Sequence, residues 1–209
     1  MTLYERWIFP RLVDLVMRNK EVSRYRERVV PGASGTVLEI GAGSGLNLPH
    51  YSPEIEHVYA LDPSPELLRM AQRTTEAARR PVHFIDATAE AIPMADGAVD
   101  TVLVTFSLCT IPDPIAALRE MKRVLKPGGR LWFAEHGLAP DASVQRWQRR
   151  CNGVWRALAG GCNLDRPIDK LITASGFRIE KLGTEYARGP RPLSFIYWGS
   201  AIPDAAASR

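Results

Sequence analysis

Hydrophobic and polar positions fall into two alternating rhythms along the chain. Short apolar runs at Val37 to Ile40, Val58 to Leu61, Val82 to Ile85, Val99 to Phe106 and Arg130 to Glu135 have the length and continuity of strands buried on both faces. Between them, Pro65 opens a segment of helical period through Glu66-Leu67-Leu68-Arg69-Met70-Ala71. Asp113-Pro114 opens another, which runs to about Leu125 and is stopped by Lys126-Pro127-Gly128-Gly129. Strands alternating with helices at this spacing predict a parallel sheet with helices on both faces. The rhythm breaks after His136. Val144 to Leu158 reads as a helix offering Trp147, Val154, Trp155 and Leu158 to an apolar face, then come an irregular loop and a short helix ending at Ala174. Phe177 to Tyr186 and Leu193 to Ser200, joined by Gly189-Pro190-Arg191-Pro192 with no helix between, predict a hairpin at the sheet edge. At the other end, Leu3, Trp7, Ile8, Leu12, Leu15 and Val16 form a helical stripe that Pro10 is expected to kink or divide, followed by a polar helix over Arg18 to Arg28. The stripe is expected to pack on its own domain, with weak contact to a membrane surface as the alternative.

Composition narrows the picture. The 209 residues suit one large domain with a single core, and 45% hydrophobic and 24% charged residues are ordinary for a globular protein. The net charge of +4 comes with acids interspersed among the arginines, which reads as solvated surface and not as a nucleic-acid face. Cys109, Cys151 and Cys162 are scattered and odd in number, which argues against a disulfide framework and a zinc site and for a reducing cytoplasm. Glu5 and Arg6 precede any apolar run, so no signal peptide is expected. No apolar stretch approaches the roughly 18 residues of a membrane span.

The chemistry concentrates where the first strand ends. Val37-Leu38-Glu39-Ile40 runs into Gly41-Ala42-Gly43-Ser44-Gly45-Leu46-Asn47, with glycine at every second position. Glycine admits tight turns and close backbone approach to a ligand. Ser44 or Asn47 is expected to cap a short helix whose first amides face an anion. The spacing is not the dinucleotide fingerprint G-x-G-x-x-G, and the Lys-Ser or Lys-Thr of a phosphate loop is missing. Glu39 repels phosphate and suits a cation, whereas Asp62, followed by Pro63, suits a ribose diol. S-adenosylmethionine (SAM) answers to all of these: a ribose, an ammonium and a sulfonium, and a carboxylate for the loop amides. The competing reading is a glycine turn that binds nothing.

The pattern E-x-G-x-G-x-G resembles motif I of class I SAM-dependent methyltransferases. With Asp62-Pro63-Ser64, Thr88-Ala89-Glu90-Ala91-Ile92-Pro93, Asp100-Thr101-Val102 and Arg123-Val124-Leu125-Lys126-Pro127-Gly128-Gly129 in order, residues 36 to 135 resemble the type 11, quinone-biosynthesis-like branch. The resemblance implies an α/β fold, a Rossmann-like doubly wound seven-stranded sheet, mostly parallel with an antiparallel C-terminal edge hairpin. It implies one domain over 1–209: an N-terminal helical lid (1–30), a SAM-binding core (31–136), a helical insert over the acceptor pocket (137–176) and a C-terminal hairpin (177–202). It assigns cofactor contacts to Glu39, Gly41, Ala42, Gly43, Gly45, Asn47, Asp62, Pro63, Thr88, Ala89, Glu90, Thr105 and Phe106. Thr88 stands where the family often has Asp for the adenine amine, which leaves adenine to the Ala89 amide. A narrower resemblance, through Ser107-Leu108-Cys109, Glu135-His136, Trp155 and Gly161-Cys162-Asn163-Leu164-x-Arg166, is to the methyltransferase-like 7 branch, whose animal members methylate small alkyl thiols. Their apolar membrane anchor has no counterpart in this sequence, so a soluble, cytoplasmic enzyme is expected.

Methyl transfer from a sulfonium is an in-line displacement with a neutral leaving group, so the protein is expected to bind, align and exclude water, with no metal. A thiol acceptor needs little activation, whereas an oxygen or carbon acceptor calls for a base. His136, at the carboxyl edge of the sheet, is the candidate base, against a histidine that bonds a neighbouring loop. Cys109, Trp155, Asn163 and Arg166 are candidate substrate contacts; the plainer roles are buried filler, core aromatic, turn residue and loop brace. The Asn/Asp-Pro-Pro-Tyr of amine-nitrogen methylases on nucleobases and glutamine is replaced by Thr105-Phe106-Ser107-Leu108, which argues against those activities. The expected function is methylation of a small molecule, an apolar thiol first, with S-adenosyl-L-homocysteine as product. Quinone-like, phenolic or lipid-amine acceptors, and a SAM-binding regulator without turnover, are the rivals.

Overall fold

In a computed structural model that describes residues 9–75 and 81–204, seven strands form one sheet in the order β3-β2-β1-β4-β5-β7-β6. Strands β1 (Thr36–Ile40), β2 (His57–Asp62), β3 (Val82–Asp86), β4 (Val99–Thr105) and β5 (Leu125–His136) run parallel. Strand β7 (Phe195–Pro203) slots antiparallel between β5 and β6 (Phe177–Tyr186). The chain leaves β1 towards β2 and β3, then returns to β4 on the other side of β1. That reversal opens a crevice at the carboxyl ends of β1 and β4, the ordinary ligand position in such sheets.

Alternation along each strand sends side chains to two cores. Leu38, Ile40, Val102 and Val104 pack with Ala117, Leu118 and Met121 of α4 (Pro114–Val124) and with Ile168 and Ile172 of α6 (Ile168–Ala174). Val37, Val58 and Leu103 face the opposite side, against Tyr25 and Val29 of α2 (Lys20–Val29). Burying each valine, leucine, isoleucine or methionine among them contributes about 1.5–3 kcal/mol. Helix starts follow local chemistry: Asp113 accepts from the Ile115 and Ala116 amides, and Asn19 accepts from the Glu21 amide. Between β2 and β3 lies α3 (Pro65–Thr75).

Several local expectations change. In α1 (Phe9–Met17), Pro10 sits in the first described turn and does not divide the helix; the break before α2 falls at Arg18 and Asn19. Leu3, Trp7 and Ile8 lie outside the described residues. Leu12, Leu15 and Val16 are exposed, so that part of the stripe does not pack on the domain. On α5 (Ala142–Leu158) the apolar face also points outward, with Trp147 60% exposed. What anchors α5 is the buried Gln148, whose amide donates to the carbonyls of Gly137 and Pro192 and accepts from the Ala139 amide. Lys126 to Gly129 is an irregularity within β5, not a stop before it. Lys126 Nζ reaches both Asp100 carboxylate oxygens (2.9 and 2.8 Å), and Asp100 accepts from the Thr36 amide (3.0 Å). Asp100 and Lys126 thus clamp the end of the sheet opposite the glycine loop. Among the described residues no helix is long and apolar enough to cross a membrane.

Candidate active site

The glycine loop folds back on the end of β2. The Gly41 and Ala42 amides both donate to the Leu61 carbonyl (2.9 and 3.0 Å), the Gly43 amide to Asp62 Oδ2 (2.9 Å) and the Gly45 amide to the Ala42 carbonyl (3.0 Å). These four amides are spent inside the protein, which corrects the expectation that they receive a ligand carboxylate. No α-helix follows either. Leu48–His50 is a single 3-10 turn containing Pro49, and Asn47, which starts it, does not cap it. The buried Asn47 amide is drawn instead to Glu39 Oε1 (2.8 Å) and Thr105 Oγ1 (3.0 Å). Ser44 donates its hydroxyl to the Asp14 carboxylate of α1.

Glu39 is buried beneath this loop, its second oxygen accepting from Tyr51 Oη (2.7 Å). Burial pushes its carboxyl up to about 7, against the Tyr51 and Asn47 hydrogen bonds and the nearby Arg26 charge. Arg26, on α2, is 5% exposed, with its guanidinium 5.5 Å from the Phe106 ring centre. It donates to the Met17 carbonyl (2.9 Å), while its Nε is buried without a partner. Burial lowers it to about 10. This corrects the reading of the arginines as uniformly solvated. The available signal was position: Tyr25, Arg26 and Val29 share the buried side of α2.

Asp62 is buried at the end of β2, each oxygen accepting one backbone amide, from Gly43 and from Ser64 (both 2.9 Å). Burial raises its pKa, opposed by those amides. Asp62 pairs in register with Asp86, so Thr88, Ala89 and Glu90 follow at the same sheet edge as Asp62 and Pro63. Their turn is braced from behind, where Glu120 accepts from the Ile92 amide (3.0 Å) and Arg123 donates to the Ile92 carbonyl (2.9 Å). Thr105 ends β4, and Phe106 then takes φ +52°, the one positive φ outside glycine among the described residues. Such backbone is costly and concentrates at functional turns.

Glu135 holds that turn. Its Oε1 accepts from the Ser107 and Leu108 amides (2.8 and 3.1 Å), while Oε2 is buried without a partner, and burial pushes the group up to about 8. The sequence offered this residue only as a neighbour of His136; the missed signal was an acid inside an apolar strand. Beyond the turn three soft ligands meet. Cys109 Sγ lies 3.5 Å from Cys162 Sγ, which lies 4.0 Å from His136 Nδ1. His136 is 7% exposed; its Nδ1 meets the 160–167 loop at Cys162, as the plainer expectation had it, while its Nε2 has no partner and stays available to the candidate base role. The Cys162 thiol is pulled below its ordinary range by the Cys109 hydrogen bond and by His136, whereas that bond and burial push Cys109 up.

Asn163 donates to the carbonyls of Cys109 (2.8 Å) and Gly161 (2.9 Å), and Arg166 to those of Ile111 (2.7 Å) and Leu108. Both use these donors to staple the 160–167 loop to the turn after β4, in keeping with the plainer roles of turn residue and loop brace. Trp155 is half-buried, with its indole Nε1 enclosed beside the Cys162 thiol.

Residues 38–133 match a family model described as a methyltransferase domain. Thiol S-methyltransferase TMT1B of Homo sapiens is 34% identical over 177 residues, covering 82% of this chain and 70% of that protein. Demethylmenaquinone methyltransferase of Thermus thermophilus is 39% identical over 133 residues, covering 62% of this chain and 58% of that one. Among solved structures, a SAM-dependent methyltransferase from Thermotoga maritima superposes with a TM-score of 0.64 at 22% identity, covering 94% of this chain and 98% of that one. The cyclase SpnF superposes with a TM-score of 0.67 at 20% identity, covering 94% and 81%. At these identities the solved structures speak for the fold alone, and a cyclase among them is a reminder that this fold is not tied to one reaction. The ordered motifs, the seven-stranded sheet with its antiparallel β7 and the relative matched over 82% of this chain converge: the chain belongs to the class I SAM-dependent methyltransferases.

Proposed function

We propose that the protein transfers the methyl group of SAM to a small apolar thiol. The observation that carries this reading is the 34% identity to a thiol S-methyltransferase over 177 residues, a span that runs well past the core matched by the family model. The soft, largely buried lining at Cys109, His136 and Cys162 supports it.

In this reading the ribose lies against Asp62. An ionised carboxylate has about four acceptor sites, and the Gly43 and Ser64 amides take two, leaving two for the ribose hydroxyls. Adenine lies against Thr88, Ala89 and Glu90, beside Pro63. Arg26 takes the carboxylate of the methionine moiety, since the Gly41, Ala42, Gly43 and Gly45 amides are occupied. Glu39 acts from beneath, holding Asn47 and Thr105 in place and favouring the ammonium. Helices α1 and α2 form a lid tied to the loop through Ser44 and Asp14. The methyl then points past Phe106 towards Cys109 and His136, where the loop and helix of residues 137–176 roof the acceptor.

Alignment of the attacking sulfur, the methyl carbon and the departing sulfur is the main contribution of the protein. A thiol needs no dedicated base, because a few per cent is thiolate at neutral pH. A phenol would call on His136. Methylation of a quinone-type ring carbon is the second reading, favoured by the 39% identity to demethylmenaquinone methyltransferase. The test is SAM with a labelled methyl group, offered with an alkanethiol, a phenol, a naphthoquinol and phosphatidylethanolamine in parallel. Label on the alkanethiol is expected. Label on another acceptor, with the thiol untouched, overturns the reading.

A further inference from the structure

We propose that Cys109, His136 and Cys162 form a three-ligand site for a thiophilic divalent ion, zinc being the fitting one, with its fourth position open to the acceptor thiol. The ligand atoms of these three residues all lie within 4.8 Å of one another, with 3.5 Å between the sulfurs and 4.0 Å from Cys162 Sγ to His136 Nδ1. Tetrahedral zinc, with Zn–S of about 2.3 Å and Zn–N of about 2.0–2.1 Å, places its ligand atoms roughly 3.5–3.8 Å apart. The two edges at Cys162 are therefore within about half an ångström of these values, and the third, from Cys109 to His136, closes by up to about 1.3 Å, the scale of a side-chain adjustment.

Each ligand comes from a differently braced element. Cys109 follows β4 in the turn that Glu135 holds, His136 ends β5, and Cys162 sits on the loop that Asn163 and Arg166 staple to the Cys109 turn. The His136 ring has no competing hydrogen bond at Nε2 and only sulfur at Nδ1. Two thiolates and a neutral imidazole balance Zn2+, and two cysteines with one histidine are a donor set used by catalytic zinc with an open position. The sequence argued against such a site because its three cysteines are scattered and odd in number; the fold brings together Cys109 and Cys162, 53 positions apart.

The acceptor step rests on the thiol reading above; occupancy of the site does not. The incoming thiol displaces water from the ion and loses its proton to solvent, since a coordinated thiol is deprotonated outright. The lone pair of the bound sulfur then forms a bond to the methyl carbon. The carbon–sulfur bond to the sulfonium breaks, and its electron pair stays on S-adenosylhomocysteine. The product thioether is a neutral, weaker ligand and gives way to water, so no oxidant or reductant is involved.

Cobalt(II) is the direct probe. The reduced full chain is expected to bind one equivalent with tetrahedral visible bands and a thiolate-to-metal charge-transfer band. Cys162→Ser is expected to lose that band while still binding S-adenosylhomocysteine, and Cys151→Ser is expected to keep it. Absence of the band in the wild type, its survival in Cys162→Ser, or a Cys109–Cys162 disulfide as the only chemistry of the pair overturns the site. Adding an alkanethiol without SAM is expected to shift the visible bands, and an alkanol is not. If the thiol leaves them unchanged, the acceptor step fails even where label still reaches thiols. If the bands shift but no thiol is ever methylated, the site and its open position stand and the thiol reading fails.

Discussion

The carboxylate of Asp14, on the first described helix, accepts the hydroxyl of Ser44 from the middle of the glycine loop. Asp14 is itself held by Arg18 Nε at 2.8 Å, and its side chain is only 12% exposed. One hydrogen bond thus fastens α1 over the loop on which the cofactor is proposed to lie. Ser44→Ala removes it without touching Asp62 or the strands. S-adenosylhomocysteine is expected to leave roughly two- to tenfold faster from this variant in stopped-flow release, the scale of one such bond. An unchanged off-rate would show that α1 does not act as a lid.

The three glycines are not equivalent. Gly41 takes φ +66°, and a Cβ there collides with the Ser107 side chain, whereas a Cβ at Gly43 finds nothing nearer than the Gly41 carbonyl oxygen at 3.9 Å. Gly41→Ala is expected to unfold the loop and lower the melting temperature sharply. Gly43→Ala carries mainly left-handed backbone strain, about 1–2 kcal/mol, or roughly 2–8 °C in a chain this size. The Gly43 methyl nevertheless projects into the proposed cofactor path, so S-adenosylhomocysteine affinity is expected to fall far more than stability. Thermal melts with and without ligand separate the two.

Arg26 offers a test of which end of the cofactor goes where. Arg26→Met keeps the stem against Phe106 and removes the charge. Affinity for S-adenosylhomocysteine is expected to drop tenfold or more, the scale of a charge-assisted bond of about 1.5–3 kcal/mol. Affinity for 5′-methylthioadenosine, which lacks the carboxylate, is expected to stay the same. Equal losses for both would assign Arg26 to the fold alone.

Glu39, raised by burial to about 7 from an ordinary 4.5, gives the protein a pH signature. The folded state holds this proton where the unfolded chain has released it. Its stabilising contribution is therefore complete below about pH 4.5 and is lost as pH rises through about 7. Glu39→Gln keeps an acceptor for Asn47 and cannot ionise. Denaturant titrations between pH 5 and pH 8 are expected to show a shallower fall in stability for Glu39→Gln than for the wild type. Identical slopes would mean that Glu39 is already charged in the folded protein.

Much of the fold was legible because apolar runs and helical stripes are local signals. β1 through β4, α4 and the final hairpin fall within a few residues of where the pattern placed them. The Lys126 to Gly129 segment misled because Pro-Gly-Gly reads as a stop, while the pairing of Val99 with Leu125 and of Thr101 with Arg130 carries β5 across it. Trp147 and Leu15 misled for a different reason, since period alone does not say whether an apolar face is covered. The proposed cofactor edge, with Glu39, the glycines and Asp62, lies on two neighbouring strand ends and is written in contiguous motifs. The proposed acceptor edge is assembled from residues 109, 136 and 162, and its supports at Glu135, Asn163 and Arg166 bind backbone atoms far away in the chain. Contacts of that kind leave no periodic trace.

The position of the ribose against Asp62 decides how the rest of the cofactor lies. Calorimetric titration of S-adenosylhomocysteine into the wild type and Asp62→Ala tests this directly, with melting curves to confirm that both are folded. Micromolar-range binding by the wild type and a loss of roughly ten- to hundredfold in the variant are expected, the scale of hydrogen bonds to a charged acceptor. Equal affinity in the two proteins, or binding by neither, would contradict the account.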